Sequence, residues 1–282
     1  MVRFRALLVA GVLAGLALGA QAKSRAQFLK PPRHGGVYVV AHRGAHLDVP
    51  ENTLPAYRRA IELGVDFVEV DVRVTKDGHF VSRHNDDLGK YVLGPNPGRI
   101  SELTLAEVRA VDVGARVGPR WKGTRVPTFE EILDLCKGKV GIYLDLKNAP
   151  VEPLVQLIRQ RGMERDVLWY AYSDSDLFAV QRLCPKCVIM PDPGPVTNLP
   201  VVLRKFHPVV VASVWKHCSK SFVEMCHRAG AMVIVDDHGP ETWRDLLNWG
   251  VDGIQTDHPG ELIELLEKRE RASKKAAAGS GH

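Results

Sequence analysis

The chain has no large excess of either charge, few cysteines, few aromatics and a single long apolar run. Lys plus Arg outnumber Asp plus Glu by only 38 to 33. No basic stripe interleaved with aromatics accompanies that small surplus, so nothing points to nucleic acid. With 45% apolar and 25% charged residues, the composition lies near the globular average. That excludes a disordered chain, a collagen-like repeat and a multi-span membrane protein. No repeat of solenoid period and no linker interrupts the 282 residues, so a single α/β domain fits the length. The five cysteines are Cys136, Cys184, Cys187, Cys218 and Cys226, and an odd number cannot all pair within one chain. Cys184-Pro185-Lys186-Cys187 has the C-x-x-C form without a second such pair or a thioredoxin-like context. A structural disulfide or buried thiols is therefore favoured over metal or redox chemistry.

The one long apolar run stands at the start. Arg3 and Arg5 precede it, it extends from Ala6 to Leu18, and Ala20-Gln21-Ala22 supplies a small-x-small site. A charged n-region, a short h-region and such a site describe a secretory signal. The run is shorter than the ~20 residues needed to cross a bilayer. Residues 1–22 are read as a cleavable signal peptide, 23–36 as a leader, 37–267 as a catalytic barrel and 268–282 as a flexible tail. The expected location is secreted or periplasmic, with no transmembrane segment in the mature chain.

Short β-branched runs alternate with helical periodicity through the central part. Candidate strands are 37–41, 66–72, 79–84, 140–146, 167–172, 187–190, 209–212, 232–235 and 253–256. Asn52 is read as a helix cap, and Thr104 with Glu107 and Thr128 with Glu131 as capping boxes. Nine strands are one too many for a (β/α)8 barrel. Thr75-Lys76-Asp77-Gly78 is too tight for a parallel crossover, which needs a dozen or more residues. The segment 79–84 should therefore fold back on the second strand as a small β-hairpin. Eight strands remain for a TIM-type (β/α)8 barrel, with an open doubly wound sheet as runner-up.

Catalytic groups of such a barrel sit at the C-terminal strand ends. Four ends here carry ionisable residues: His42 and Arg43, Glu69 and Asp71, His84, and Asp145 with Lys147. Alternation puts Glu69 and Asp71 on one face and Asp145 and Lys147 on one face. Three converging carboxylates need compensation, and an all-oxygen set favours one hard divalent cation, Mg2+ or Ca2+. His42 and His84 are the natural acid–base pair. Arg43 and Lys147 suit a phosphate. Trp215, which follows a strand, is a further candidate as a cation–π wall for an amine.

Together these segments resemble a known family. Ala41-His42-Arg43-Gly44, Pro50-Glu51-Asn52-Thr53, the run from Gly64 to Asp71, Thr75 to Gly78 and His84 to Asp86 look like glycerophosphodiester phosphodiesterases. So do Ser101 to Thr104, Val126 to Thr128 with Glu131, and Gly250 to Asp257. The resemblance implies a barrel of the phospholipase-C-like phosphodiesterase type that cleaves glycerophosphodiesters, small soluble substrates, to glycerol phosphate and an alcohol. It implies His42 and His84 as catalytic, Glu69, Asp71 and Asp145 as metal ligands, Arg43 and Lys147 at the phosphate, and Glu51 as metal ligand or orienter of Arg43. Asp145 departs from the family, standing where a glutamate is usual. Gly89-Lys90-Tyr91 and Val235-Asp236-Asp237 depart too, which suggests an altered substrate pocket. Two other readings remain: a phospholipase D-like enzyme on lysolipids or sphingolipids that releases a cyclic phosphate, and a non-catalytic ligand-binding barrel.

Overall fold

The computed structural model describes residues 29–279. The signal peptide expected at 1–22 lies outside them. The chain divides into Met1–Pro31 and Pro32–His282, and the second unit holds all the structure that follows.

Eight parallel strands form a nearly closed barrel: β1 (Tyr38–Ala41), β2 (Phe67–Val74), β4 (Gly141–Leu146), β5 (Val167–Ala171), β6 (Val188–Ile189), β7 (Val210–Val214), β8 (Met232–Asp236) and β9 (Gly253–Thr256). Their order around the wall is β6-β5-β4-β2-β1-β9-β8-β7. The short β6 is bridged toward β7 by a hydrogen bond from Ala212 N to Pro191 O, 3.0 Å. β3 (Phe80–Ser82) lies outside the ring, antiparallel to the end of β2, with Val72 opposite Ser82.

The helices are α1 (Leu54–Leu63), α2 (Leu105–Ala110), α3 (Phe129–Cys136), α4 (Val151–Gln160), α5 (Asp174–Leu183), α6 (Leu199–Phe206), α7 (Lys220–Arg228), α8 (Trp243–Trp249) and α9 (Pro259–Gly279). α4 shows why they pack: Val151, Leu154, Val155 and Ile158 recur at helical spacing and are all buried. α2 and α3 both begin in complete capping boxes, Thr104 with Glu107 and Thr128 with Glu131. On β2 the valines at 68, 70 and 72 join the core. Parity turns Glu69 and Asp71 to the opposite face.

One expectation is corrected. Asn52 is not the cap of α1: Thr53 holds that position, and Asn52 is fully buried with φ 55°. The reason is that its amide is taken up by Asp71, Tyr57 and Ser82. Helix α9 runs on through the first part of the expected tail to Gly279, as a Lys- and Ala-rich composition favours. Cys184 and Cys187 form a disulfide, while Cys136, Cys218 and Cys226 are buried thiols.

Candidate active site

The loop after β1 is bent by unusual backbone. Arg43 has φ 54° and Gly44 φ 83°. A Cβ on Gly44 would lie 2.8 Å from Ala56 C, so only glycine fits against α1. Arg43 in the left-handed region costs about 1 kcal/mol. The loop offsets this with two bonds: Arg43 N donates to Glu69 Oε2 at 2.7 Å, and Asn52 N donates to Arg43 O at 2.9 Å. Backbone strain thus ties the His-Arg-Gly turn to the acids on β2.

Register brings the acids together. Asp71 on β2 is the direct partner of Asp145 on β4, so the two project to one side. Oxygens of Glu69, Asp71 and Asp145 lie within 4.8 Å of one another. Glu69 and Asp71 are almost wholly buried. Burial pushes the Glu69 carboxyl well above its ordinary range, and the charges of Asp71 and Asp145 add to it. Burial likewise raises Asp145, to about 6, against the pull of Lys147. Asp71 is held low: burial opposes ionisation, but Lys147, His84, Arg43 and the Asn52 amide outweigh it.

Asp145 Oδ1 is buried without a hydrogen-bond partner among the described residues. An orphaned carboxylate oxygen beside two more carboxylates fits a hard divalent cation. Glu51 lies outside this group. Its carboxylate sits 3.2 Å from Arg43 Nη1 and 3.9 Å from Lys90 Nζ. Of the two roles expected for Glu51, the geometry matches orienting Arg43.

Lys147 is more committed to the acids than expected. Its Nζ is 2.7 Å from Asp145 Oδ2 and 3.0 Å from Asp71 Oδ1. Burial would lower the ammonium, but those two carboxylates raise it. Arg43 Nε stands 3.7 Å from Asp71 Oδ2. Both cations therefore border the carboxylates.

The two histidines differ in their partners. His42 Nδ1 lies 2.7 Å from Asp257 Oδ1, immediately after β9. Burial alone would lower the His42 imidazole, but the bond to Asp257 and the charges of Glu69 and Asp236 push it up to about 9. His84 Nδ1 instead pairs with the neutral Asn85 Oδ1 at 2.8 Å. Burial lowers His84, and that bond and Asp71 do not restore it. Arg73 anchors the segment, donating to the carbonyls of Arg83 and His84.

Sequence reasoning missed Asn52, His46 and Asp257 as members of the site. Asn52 Nδ2 donates to Asp71 Oδ2 at 2.7 Å. His46 Nε2 shares Asp257 Oδ1 at 3.0 Å. The signal for Asp257 was its place one residue past a strand, but its closeness to His42 depends on β9 pairing with β1. Trp215, the candidate cation–π wall, directly follows β7. Its indole stacks on Trp249 of α8, centroids 5.1 Å apart, and packs against the core. A cavity of about 400 Å³ opens instead at the ends of β5, β6 and β7, lined by Tyr170, Tyr172, Asp192, Lys216 and His217 among others. Lys147 Nζ lies 5.7 Å from the Tyr172 ring centroid, so this cavity adjoins the acid cluster.

Comparison with known proteins points to one family. The profile of the glycerophosphoryl diester phosphodiesterase family matches residues 42–184. A glycerophosphodiester phosphodiesterase of Caldanaerobacter subterraneus subsp. tengcongensis is 32% identical over 246 residues, spanning 82% of this chain and 98% of its own length. The crystal structure of a glycerophosphodiester phosphodiesterase from Agrobacterium tumefaciens superposes with TM-score 0.70 at 26% identity, over 80% of this chain and 99% of its own. A phosphodiesterase of Oleispira antarctica, solved with the product sn-glycerol-3-phosphate, shares the fold with TM-score 0.76 at 23% identity, over 85% of this chain and 98% of its own.

Proposed function

The chain belongs to the glycerophosphoryl diester phosphodiesterase family, and from that premise we propose that it is an exported, metal-dependent enzyme using two histidines. It is a phosphoric diester hydrolase acting on glycerophosphodiesters. The observation that carries the finer reading is the convergence of Glu69, Asp71 and Asp145 at one barrel mouth with His42 and His84.

Glu69, Asp71 and Asp145 would hold one divalent cation, Mg2+ or Ca2+. When bound, such an ion neutralises phosphoryl oxygens and polarises the phosphorus toward attack. Arg43 and Lys147 present positive charge to the same phosphate and fix its orientation. Nδ1–H of His84 is spent on Asn85, so its Nε2 carries a free lone pair and takes the proton of the attacking oxygen. The Asp257 carboxylate favours the imidazolium of His42, which gives its Nε2 proton to the departing alkoxide. The alcohol portion lies in the cavity beside Tyr172. There Asp192, Lys216 and His217 line the space around it.

Export is supported by the N-terminal pattern and by the Cys184–Cys187 disulfide, which persists in an oxidising compartment. The test is hydrolysis of sn-glycero-3-phosphocholine followed by phosphorus NMR. EDTA should abolish turnover and Mg2+ or Ca2+ restore it. His42→Ala and His84→Ala should each lose ~10²-fold or more. Full activity in EDTA, or in either variant, refutes the reading. Release of a cyclic phosphate from lysolipids, with glycerophosphocholine untouched, would favour the phospholipase D-like alternative.

A further inference from the structure

Between Asp112 and Glu130 the sequence contains Arg116, Arg120, Lys122 and Arg125 and no acid. This stretch folds back on itself. Asp112 Oδ1 accepts from the backbone N–H of Gly114 and Ala115, and its Oδ2 from that of Gly123. Gly114 is packed so close to the return limb that a Cβ there would lie 2.0 Å from Trp121 O. The tip is fastened to the β1–α1 loop, where Trp121 Nε1 donates to Asp48 O at 2.7 Å and Arg120 Nη2 to Asp48 Oδ2 at 2.5 Å. Asp48 lies between His42 and Glu51, so this surface belongs to the rim of the active site.

Its exposed groups are of two kinds. Val117 and, next to Asp48, Leu47 are 46% and 60% exposed, large values for aliphatic side chains. The side chains of Arg116 and Lys122 are exposed and make no hydrogen bond or ion pair among the described residues. The Arg120 guanidinium lies over the half-buried Trp121 ring at 4.8 Å. The Asp48 carboxylate at the tip is shared between Arg59 and Arg120. Arg59 and Arg120 pair with Asp48, and Arg125 donates to the carbonyl of Ala110 at 2.5 Å, which leaves the charges of Arg116 and Lys122 free of a carboxylate among the described residues.

We propose that this loop and Leu47 form a docking surface for an anionic phospholipid membrane. Aliphatic tips beside an indole enter the boundary between head groups and acyl chains, and unpaired cations meet lipid phosphates. The disposition is preformed by the Asp112 and Asp48 hydrogen bonds, so docking orders little additional backbone. It places the barrel mouth at a lipid surface, where deacylated phospholipids are generated. That benefit rests on the proposed function; the binding itself does not.

The test is sedimentation of the full-length protein with sucrose-loaded vesicles of phosphatidylserine and phosphatidylcholine, and with phosphatidylcholine alone. Binding should require phosphatidylserine and weaken in high salt. Each removed cation should cost about 5-fold in partitioning, so R116Q/K122Q should lose about 25-fold. Val117→Ser should weaken binding further while leaving its salt dependence in place. Neither cation touches the carboxylates or histidines, so glycerophosphocholine hydrolysis by R116Q/K122Q should equal that of the parent. The N-terminal apolar run is common to both proteins and drops out of the comparison. Equal partitioning of the parent and R116Q/K122Q, or equal binding to both vesicle types, overturns the proposal. Tighter binding to a DNA duplex than to vesicles, lost in the same variant, reassigns the surface to nucleic acid. An inactive enzyme that still partitions as described sinks the proposed function and leaves the docking surface standing.

Discussion

Asp257→Asn isolates the strongest electrostatic coupling of the candidate site. The two side chains have nearly the same shape, so the variant keeps a hydrogen-bond acceptor near His42 and His46 and loses only the charge. In the parent the His42 imidazole stands at about 9, against an ordinary 6.5. At about 1.4 kcal/mol per pH unit, that difference would amount to about 3 kcal/mol. The Asp257 side chain is 47% exposed, and solvent screening trims the figure to roughly 1–2 kcal/mol. The sign follows from linkage. A histidine raised on folding contributes stability that is fully present below pH 6.5 and is lost as the pH rises through about 9. Urea unfolding in EDTA at pH 6 and pH 9.5 should therefore show a loss in the parent that Asp257→Asn lacks. NMR titration of the His42 ring should report a midpoint far above neutral in the parent and a clearly lower one in the variant. The same midpoint in both proteins would refute the coupling of His42 to Asp257.

Two other perturbations probe packing around the site. Asn52→Ala removes the amide that binds Asp71, Tyr57 and Ser82 and puts a β-carbon without compensation at φ 55°. It should cost about 2–3 kcal/mol in urea unfolding and weaken Mg2+ or Ca2+ binding by calorimetry; parent-like values in both would contradict the reading. Trp215→Ala should leave KM and kcat for glycerophosphocholine unchanged while costing about 2–3 kcal/mol of stability, because its indole stacks on Trp249 rather than lining the cavity. A raised KM with normal stability would return Trp215 to the substrate pocket.

Some of the site was legible before any coordinates. Glu69 and Asp71 share a face because strand side chains alternate, and the valines between them read as core. Asp145 and Lys147 follow the same rule. The hidden part lies where partners are far apart in sequence. Asp257 meets His42 across 215 residues, and Arg120 meets Asp48 across 72. Asn52 misled for a different reason. Its residue type suits a helix cap, yet in the folded chain three buried polar groups claim its amide. The stacking of Trp215 on Trp249 was not legible either, because an aromatic after a strand looks the same whether it turns to the mouth or to a helix.

The local code of this chain, taken alone, determined that strands alternate with helices, that two capping boxes start helices, and which ionisable residues end the strands. These depend on steric and hydrogen-bonding preferences within a few residues. Folding in three dimensions decided the rest: that β9 closes beside β1 to put Asp257 on His42, that register sets Asp71 against Asp145, and that Lys147 lies between their carboxylates. Strand order and register are chosen by burial of the whole barrel wall. The electrostatics that separate the two histidines therefore exist only once that wall has formed.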